Sequence, residues 1–160
     1  MILNMTDTKF DGLIDTVSKN PTWSCKCLTS QDVSFFTQSG RDAAWAEFIK
    51  YKPQLVVTDC WADPGSSMLD KAGNIYARSG RYSQERVSQY DKLLLWLSNL
   101  LLHQQHEFDA YYMCVVPPAS QAGKSPTLRA VRGQEPTIRK CCWGPYCHRT
   151  IVRYILKQGQ

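Results

Sequence analysis

Phe10, Leu13, Ile14 and Val17 recur at the i, i+3, i+4, i+7 spacing of one helical face, and the run closes with Lys19 ahead of Pro21. That spacing predicts an amphipathic helix over residues 8–19. A second helix is expected over 41–51, behind the Ser39-Gly40 breaker. It would bury Ala44, Trp45, Phe48 and Ile49, and Pro53 forbids its continuation. Leu55-Val56-Val57, within 54–59, is the best strand candidate in the chain. The longest element begins at Ser83, an N-cap residue followed by Glu85 in the first turn, and runs to His103. Its Val87, Tyr90, Leu94, Leu97 and Leu101 share a face that Leu93, Trp96 and Leu100 widen, so other elements should enclose it.

The remaining segments carry weaker patterns. Residues 23–34 are mixed, with Cys25-Lys26-Cys27 in a loop or short strand, and 63–67 and 72–74 read as turns. A further helix is expected over 107–116, ending at Pro117-Pro118. Residues 119–126 have linker composition, 127–132 read as helix or coil, and no internal repeat is present. The expectation is a mainly α protein, α+β with a short strand pair. Its helical core would span 1–118, a linker 119–136 and a basic C-terminal unit 137–160.

Composition narrows the class. A chain of 160 residues, 43% hydrophobic and 21% charged, has the make-up of a globular domain rather than a disordered one. The net charge of +5 is unevenly placed, because from Ser120 onward eight Lys and Arg residues face one acid, Glu135. That quarter therefore carries +7 and the first 119 residues carry −2. A near-neutral body with a basic quarter suits a polyanion partner; the plainer alternative is a solvated basic tail. Seven cysteines, an odd number in two close clusters, with no charged-then-apolar leader, point to reduced thiols and an intracellular, cytoplasmic setting. The most apolar run, 93–102, is too short for a membrane crossing and predicts no membrane association.

The basic quarter suggests a specific motif. Thr137 would cap a helix over 138–143, Gly144-Pro145 would break it, and a second helix over 146–157 would carry Ile151, Val152 and Ile155 as an apolar stripe. Gly144 and the run Thr150-Ile151-Val152-Arg153-Tyr154 resemble the recognition segments of helix-turn-helix regulators of phage and bacteria. The resemblance covers about the last 25 residues and implies a DNA-binding transcription regulator, with DNA, or RNA, as partner and a protein of the transcription machinery as a second one. Tyr146, His148, Arg149 and Arg153 would then reach the groove, while Arg129, Arg132, Arg139, Lys140 and Lys157 would hold phosphates. The bland alternative is a helical hairpin packed on the core.

Three other readings stay open. Cys25, Cys27, Cys142, Cys147 and His148, with Cys141 adjacent, could supply a structural zinc site, although the paired C-x2-C spacing is missing and buried cysteines are common small hydrophobes. His103 and His106, with Asp59, Asp63 and Asp109, could serve a metal-dependent nuclease; histidines in a last helical turn also suit the helix dipole. A small interaction or inhibitor protein, such as a virus would carry, would use the same basic face against an acidic host protein. No glycine-rich phosphate loop is present, and neither oligomeric state nor target is legible.

Overall fold

Four apolar runs lie side by side as parallel strands: β1 (Ile2–Thr6), β2 (Cys25–Thr29), β3 (Leu55–Thr58) and β4 (Tyr111–Val116). They belong to a computed structural model that describes residues 1–6, 11–58, 84–116, 125–131, 137–139 and 151–156. Two further strands, β5 (Thr137–Arg139) and β6 (Ile151–Leu156), complete a six-stranded sheet of order β2-β1-β3-β4-β6-β5. Strand β6 is antiparallel to both β4 and β5. Between the strands run α1 (Asp11–Ser18), α2 (Gln38–Tyr51), α3 (Gln84–His106) and the single-turn α4 (Pro126–Ala130).

The strand pleat sorts side chains to two faces. Leu3, Met5, Leu28, Val56, Tyr112 and Cys114 pack with Ala44 and Phe48 of α2, with Leu128 of α4 and with Tyr90, Leu93, Leu94, Leu97, Leu100 and Leu101 of α3. Ile2 and Val57 face the other way, against Val17 of α1. Helices on both faces of a mostly parallel sheet make this a doubly wound α/β fold.

Local signals explain the helix ends. Thr37 caps α2 by accepting the Gly40 N–H at 3.1 Å, and Lys52 closes it in the left-handed conformation at φ 43°, its N–H bonded to the Phe48 carbonyl. Arg41 of α2 is buried, ties down the preceding loop by donating to the Phe35 carbonyl and bonds within the helix to Gln38 Oε1, both at 3.1 Å. At the far end of α3, the buried Gln104 donates to the carbonyls of Pro53 and Tyr111, so helix end and strand starts are fixed together.

The expectation of a mainly α protein with one short strand pair is therefore overturned. Helices expected near 8–19, 41–51 and 83–103 occur, as does the strand at 54–59. Helix α3 is less enclosed than its composition suggests, since Leu95 stays half exposed. The stretch 107–116 is strand β4, because six apolar residues in a row are how a strand covered on both faces reads, and such a run does not discriminate strand from helix. The C-terminal correction matters most. Ile138 and Arg139 lie in β5, and Ile151 to Leu156 form β6, so the described parts of the segments assigned to a helix-turn-helix are strands of the sheet, while the Gly144-Pro145 break lies outside the described residues. Ile151-Val152-Arg153-Tyr154-Ile155-Leu156 is β-branched and aromatic, and pairing on two sides exploits that preference.

Candidate functional site at the carboxyl edge of the sheet

The chain leaves β1 through α1 for β2 on one side and returns through α2 to β3 on the other. The order of strands thus reverses between β1 and β3. In doubly wound sheets, ligands bind in the crevice outside the carboxyl ends of the strands at such a point. Here β1, β2 and β3 all end on threonine, Thr6, Thr29 and Thr58, and all three are buried.

Each threonine has a different environment. Thr6 stands opposite Thr29 in the β1–β2 register. The Thr29 N–H and hydroxyl both donate to Asp32 Oδ2, at 2.8 and 3.1 Å, so a carboxylate is fastened just past the end of β2. Thr58 stands opposite Met5, and its Oγ1 is buried without a hydrogen-bond partner. A buried hydroxyl with no partner costs roughly 1–3 kcal/mol, a cost that a ligand or a bridging water can relieve. In sequence, Thr6 is followed by Asp7 and Thr58 by Asp59. The segments Asn4-Met5-Thr6-Asp7 and Val56-Val57-Thr58-Asp59 thus share a Thr-Asp ending, a signal in the sequence that hydrophobic periodicity does not carry.

The antiparallel pair brings basic positions to the same edge. Arg153 of β6 is in register with Val116, the last residue of β4, and Arg139 of β5 is in register with Ile151, the first residue of β6. Both backbone positions therefore sit at the carboxyl edge of the parallel strands. Arg129 belongs to α4. Arg132, Lys140, Tyr146, His148, Arg149 and Lys157 lie outside the described residues, as do Cys142, Cys147, Asp59 and Asp63.

The histidine pair falls elsewhere. His103 and His106 close α3 just ahead of β4, at the amino-terminal edge, whereas Thr58, the residue before Asp59, marks the opposite edge. A four-residue strand spans about 13 Å, so a strand length separates the edge that holds the histidines from the edge marked by Thr58, and Asp59 and Asp63 themselves lie outside the described residues. The His103 ring is packed edge-on against Trp45, Phe48 and Phe108, with centroids 5.4, 5.7 and 4.8 Å away, as a core side chain would be. Among the described residues no three His, Cys, Asp or Glu side chains converge as metal ligands, and no helix is long and apolar enough to cross a membrane.

A cavity of about 430 Å³ opens at the amino-terminal edge, lined by Ile2, Trp23, Leu55, Phe108 and Tyr111 among others. It is apolar and lies across the sheet from the threonines. Cys25 and Cys27 project from edge strand β2 with their sulfurs 4.0 Å apart, and burial, with the neighbouring Cys27, pushes the Cys25 thiol up to about 11. Comparison with protein-family models, with characterised proteins and with solved structures finds no match for this chain.

Proposed function

We propose that this chain binds a cationic nucleoside cofactor of the S-adenosylmethionine class across the β1–β3 switch point and transfers its methyl group to a nucleic acid. The observation that carries the reading is the threonine-lined carboxyl edge, with its unpartnered Thr58 hydroxyl and the Asp32 carboxylate fastened beyond β2. Hydroxyl-rich ribose suits such an edge. Two features of the sequence select the cofactor's charge. The sequence after β1, Asp7-Thr8-Lys9-Phe10-Asp11-Gly12, lacks the glycine spacing that cradles a pyrophosphate. Aspartates follow the ends of β1, β2 and β3 within three residues, and carboxylates favour a ligand bearing sulfonium and ammonium groups over one bearing phosphates.

Charge favours a nucleic acid as acceptor. The +7 C-terminal quarter suits a phosphate backbone, and the positions of Arg139 and Arg153 share the carboxyl edge with the threonines. Strand β6 is three strand spacings from β1, about 14 Å, a separation that a nucleoside cofactor and an acceptor nucleotide together can bridge. In the reaction the sulfonium–methyl bond breaks, the methyl joins an acceptor oxygen or nitrogen, and that atom loses its proton.

Equilibrium titration of the protein with S-adenosylmethionine, S-adenosylhomocysteine, NAD and ATP tests the first half. Saturable binding of the two sulfur nucleosides, with NAD and ATP at least tenfold weaker, is expected. Preference for either phosphate-bearing ligand, or no binding of any of the four at millimolar concentration, refutes it. Transfer of labelled methyl to RNA or DNA tests the second half, with Arg153→Glu expected to lower acceptor affinity and the steepness of its salt dependence.

A further inference from the structure

We propose that Cys25 and Cys27, with Asn4 beside them, form a binding site for a single monovalent copper ion, independent of the carboxyl edge. The two residues are two apart on β2, so the pleat puts both on one face, and their sulfurs lie 4.0 Å apart. Strand β2 is an edge strand and both cysteines are only half buried, so an ion can reach them. The separation is about twice the length of a disulfide bond and close to twice a metal–sulfur bond, which fits one ion between two sulfurs better than an S–S bond.

The second observation is Asn4. It is fully buried in β1, in register with Cys27, and its Nδ2 donates to Cys27 Sγ at 3.8 Å. Its Oδ1 is buried with no hydrogen-bond partner. An amide N–H directed at a sulfur stabilises that sulfur as a thiolate ligand, and turning the amide over would offer the unmet oxygen to the ion instead. The turned orientation gives the buried amide oxygen a partner that no protein group supplies.

The ligand set selects the ion. Zinc requires four ligands, and among the described residues no third His, Cys, Asp or Glu joins the pair. A soft monovalent ion accepts two thiolates, and thiolates select copper(I) over harder cations. Binding is an exchange without redox change: two S–H bonds are lost, two copper–sulfur bonds form, two protons pass to solvent and copper remains monovalent.

The test uses the reduced full-length chain under anaerobic conditions, with copper(I) supplied as its coloured complex with a bidentate chelator. The expected result is withdrawal of one equivalent of copper with high affinity, weakened at least 100-fold in the Cys25→Ser/Cys27→Ser variant. The Cys141→Ser/Cys142→Ser/Cys147→Ser variant should retain it. Retention by the first variant, or loss in the second, overturns the proposal. Should the double variant fail to fold, Cys27→Ser alone keeps a partner for Asn4 and should show the same loss. X-ray absorption of the loaded wild-type protein supplies a second readout, in which two sulfur neighbours agree with the site and a four-sulfur shell refutes it.

Discussion

Thr58 carries an unusual combination of properties for a strand end: it is completely buried, and its hydroxyl bonds to nothing. Replacing the hydroxyl by a methyl removes a desolvation cost while keeping the shape. Thr58→Val should therefore leave the apo protein as stable as wild type or more stable by about 1 kcal/mol, while weakening cofactor binding about tenfold. Urea melts and the cofactor titration read the two effects separately, and a variant destabilised by more than 1 kcal/mol would mean that the hydroxyl is satisfied in the folded protein. Asp32 behaves oppositely. Its Oδ2 accepts two bonds from Thr29, so Asp32→Ala should cost about 1–2 kcal/mol in the same melts and also reduce cofactor affinity. His103 shows that residue type alone does not assign a role, since an imidazole in a terminal helical turn suits a metal or a dipole equally, and here its ring packs against three aromatic rings.

At the scale of elements, α2 depends on its ends. Thr37→Ala should lower stability by about 1 kcal/mol through loss of the cap, and Lys52→Gly should raise it by about 0.5–1 kcal/mol by relieving a left-handed lysine. Chemical denaturation of both variants checks the opposite signs. Gly40 has no such freedom, because a Cβ there would overlap the Ser34 backbone carbonyl. Helix α3 relies instead on burial. Leu97 is completely enclosed, and Leu97→Ala should cost about 2–5 kcal/mol, with the spread set by how far the cavity collapses.

For the molecule as a whole, the β5–β6 hairpin covers what would otherwise be a sheet edge. Deleting residues 151–156 strips the partner from Met113-Cys114-Val115-Val116 and opens that edge of β4, and an open apolar strand edge recruits other chains. Size-exclusion chromatography with light scattering should show aggregates in place of the wild-type species. Among the described residues two groups act on alkaline stability. Burial raises Tyr112 from 10 to about 12, and Cys25 moves from 9 to about 11, so in each case the unfolded chain loses its proton first. Their contribution to stability is complete below pH 9 and is lost as pH rises through 11 and 12. Thermal midpoints should accordingly fall progressively above pH 9, and tyrosinate absorbance from Tyr112 should appear later than that of free tyrosine.

The sequence by itself determined where helices α1, α2 and α3 form, because their apolar spacing is local and long enough to identify its own period. It likewise determined β3, bracketed by Pro53 and a polar exit, and the segregation of positive charge into the last quarter. Only the tertiary structure decided that 111–116 and 151–156 are strands. Over six residues, Tyr111 to Val116 and Ile151 to Leu156 satisfy either period, and partners dozens of residues away settle the choice. Asn4 interrupts the apolar run of β1 and hides that strand in the sequence, although in the sheet it pairs with Cys27 and Val57. The gathering of Thr6, Thr29, Thr58, Arg139 and Arg153 at one edge has the same origin. Parallel pairing aligns strand ends that are far apart along the chain, and no local pattern encodes that alignment.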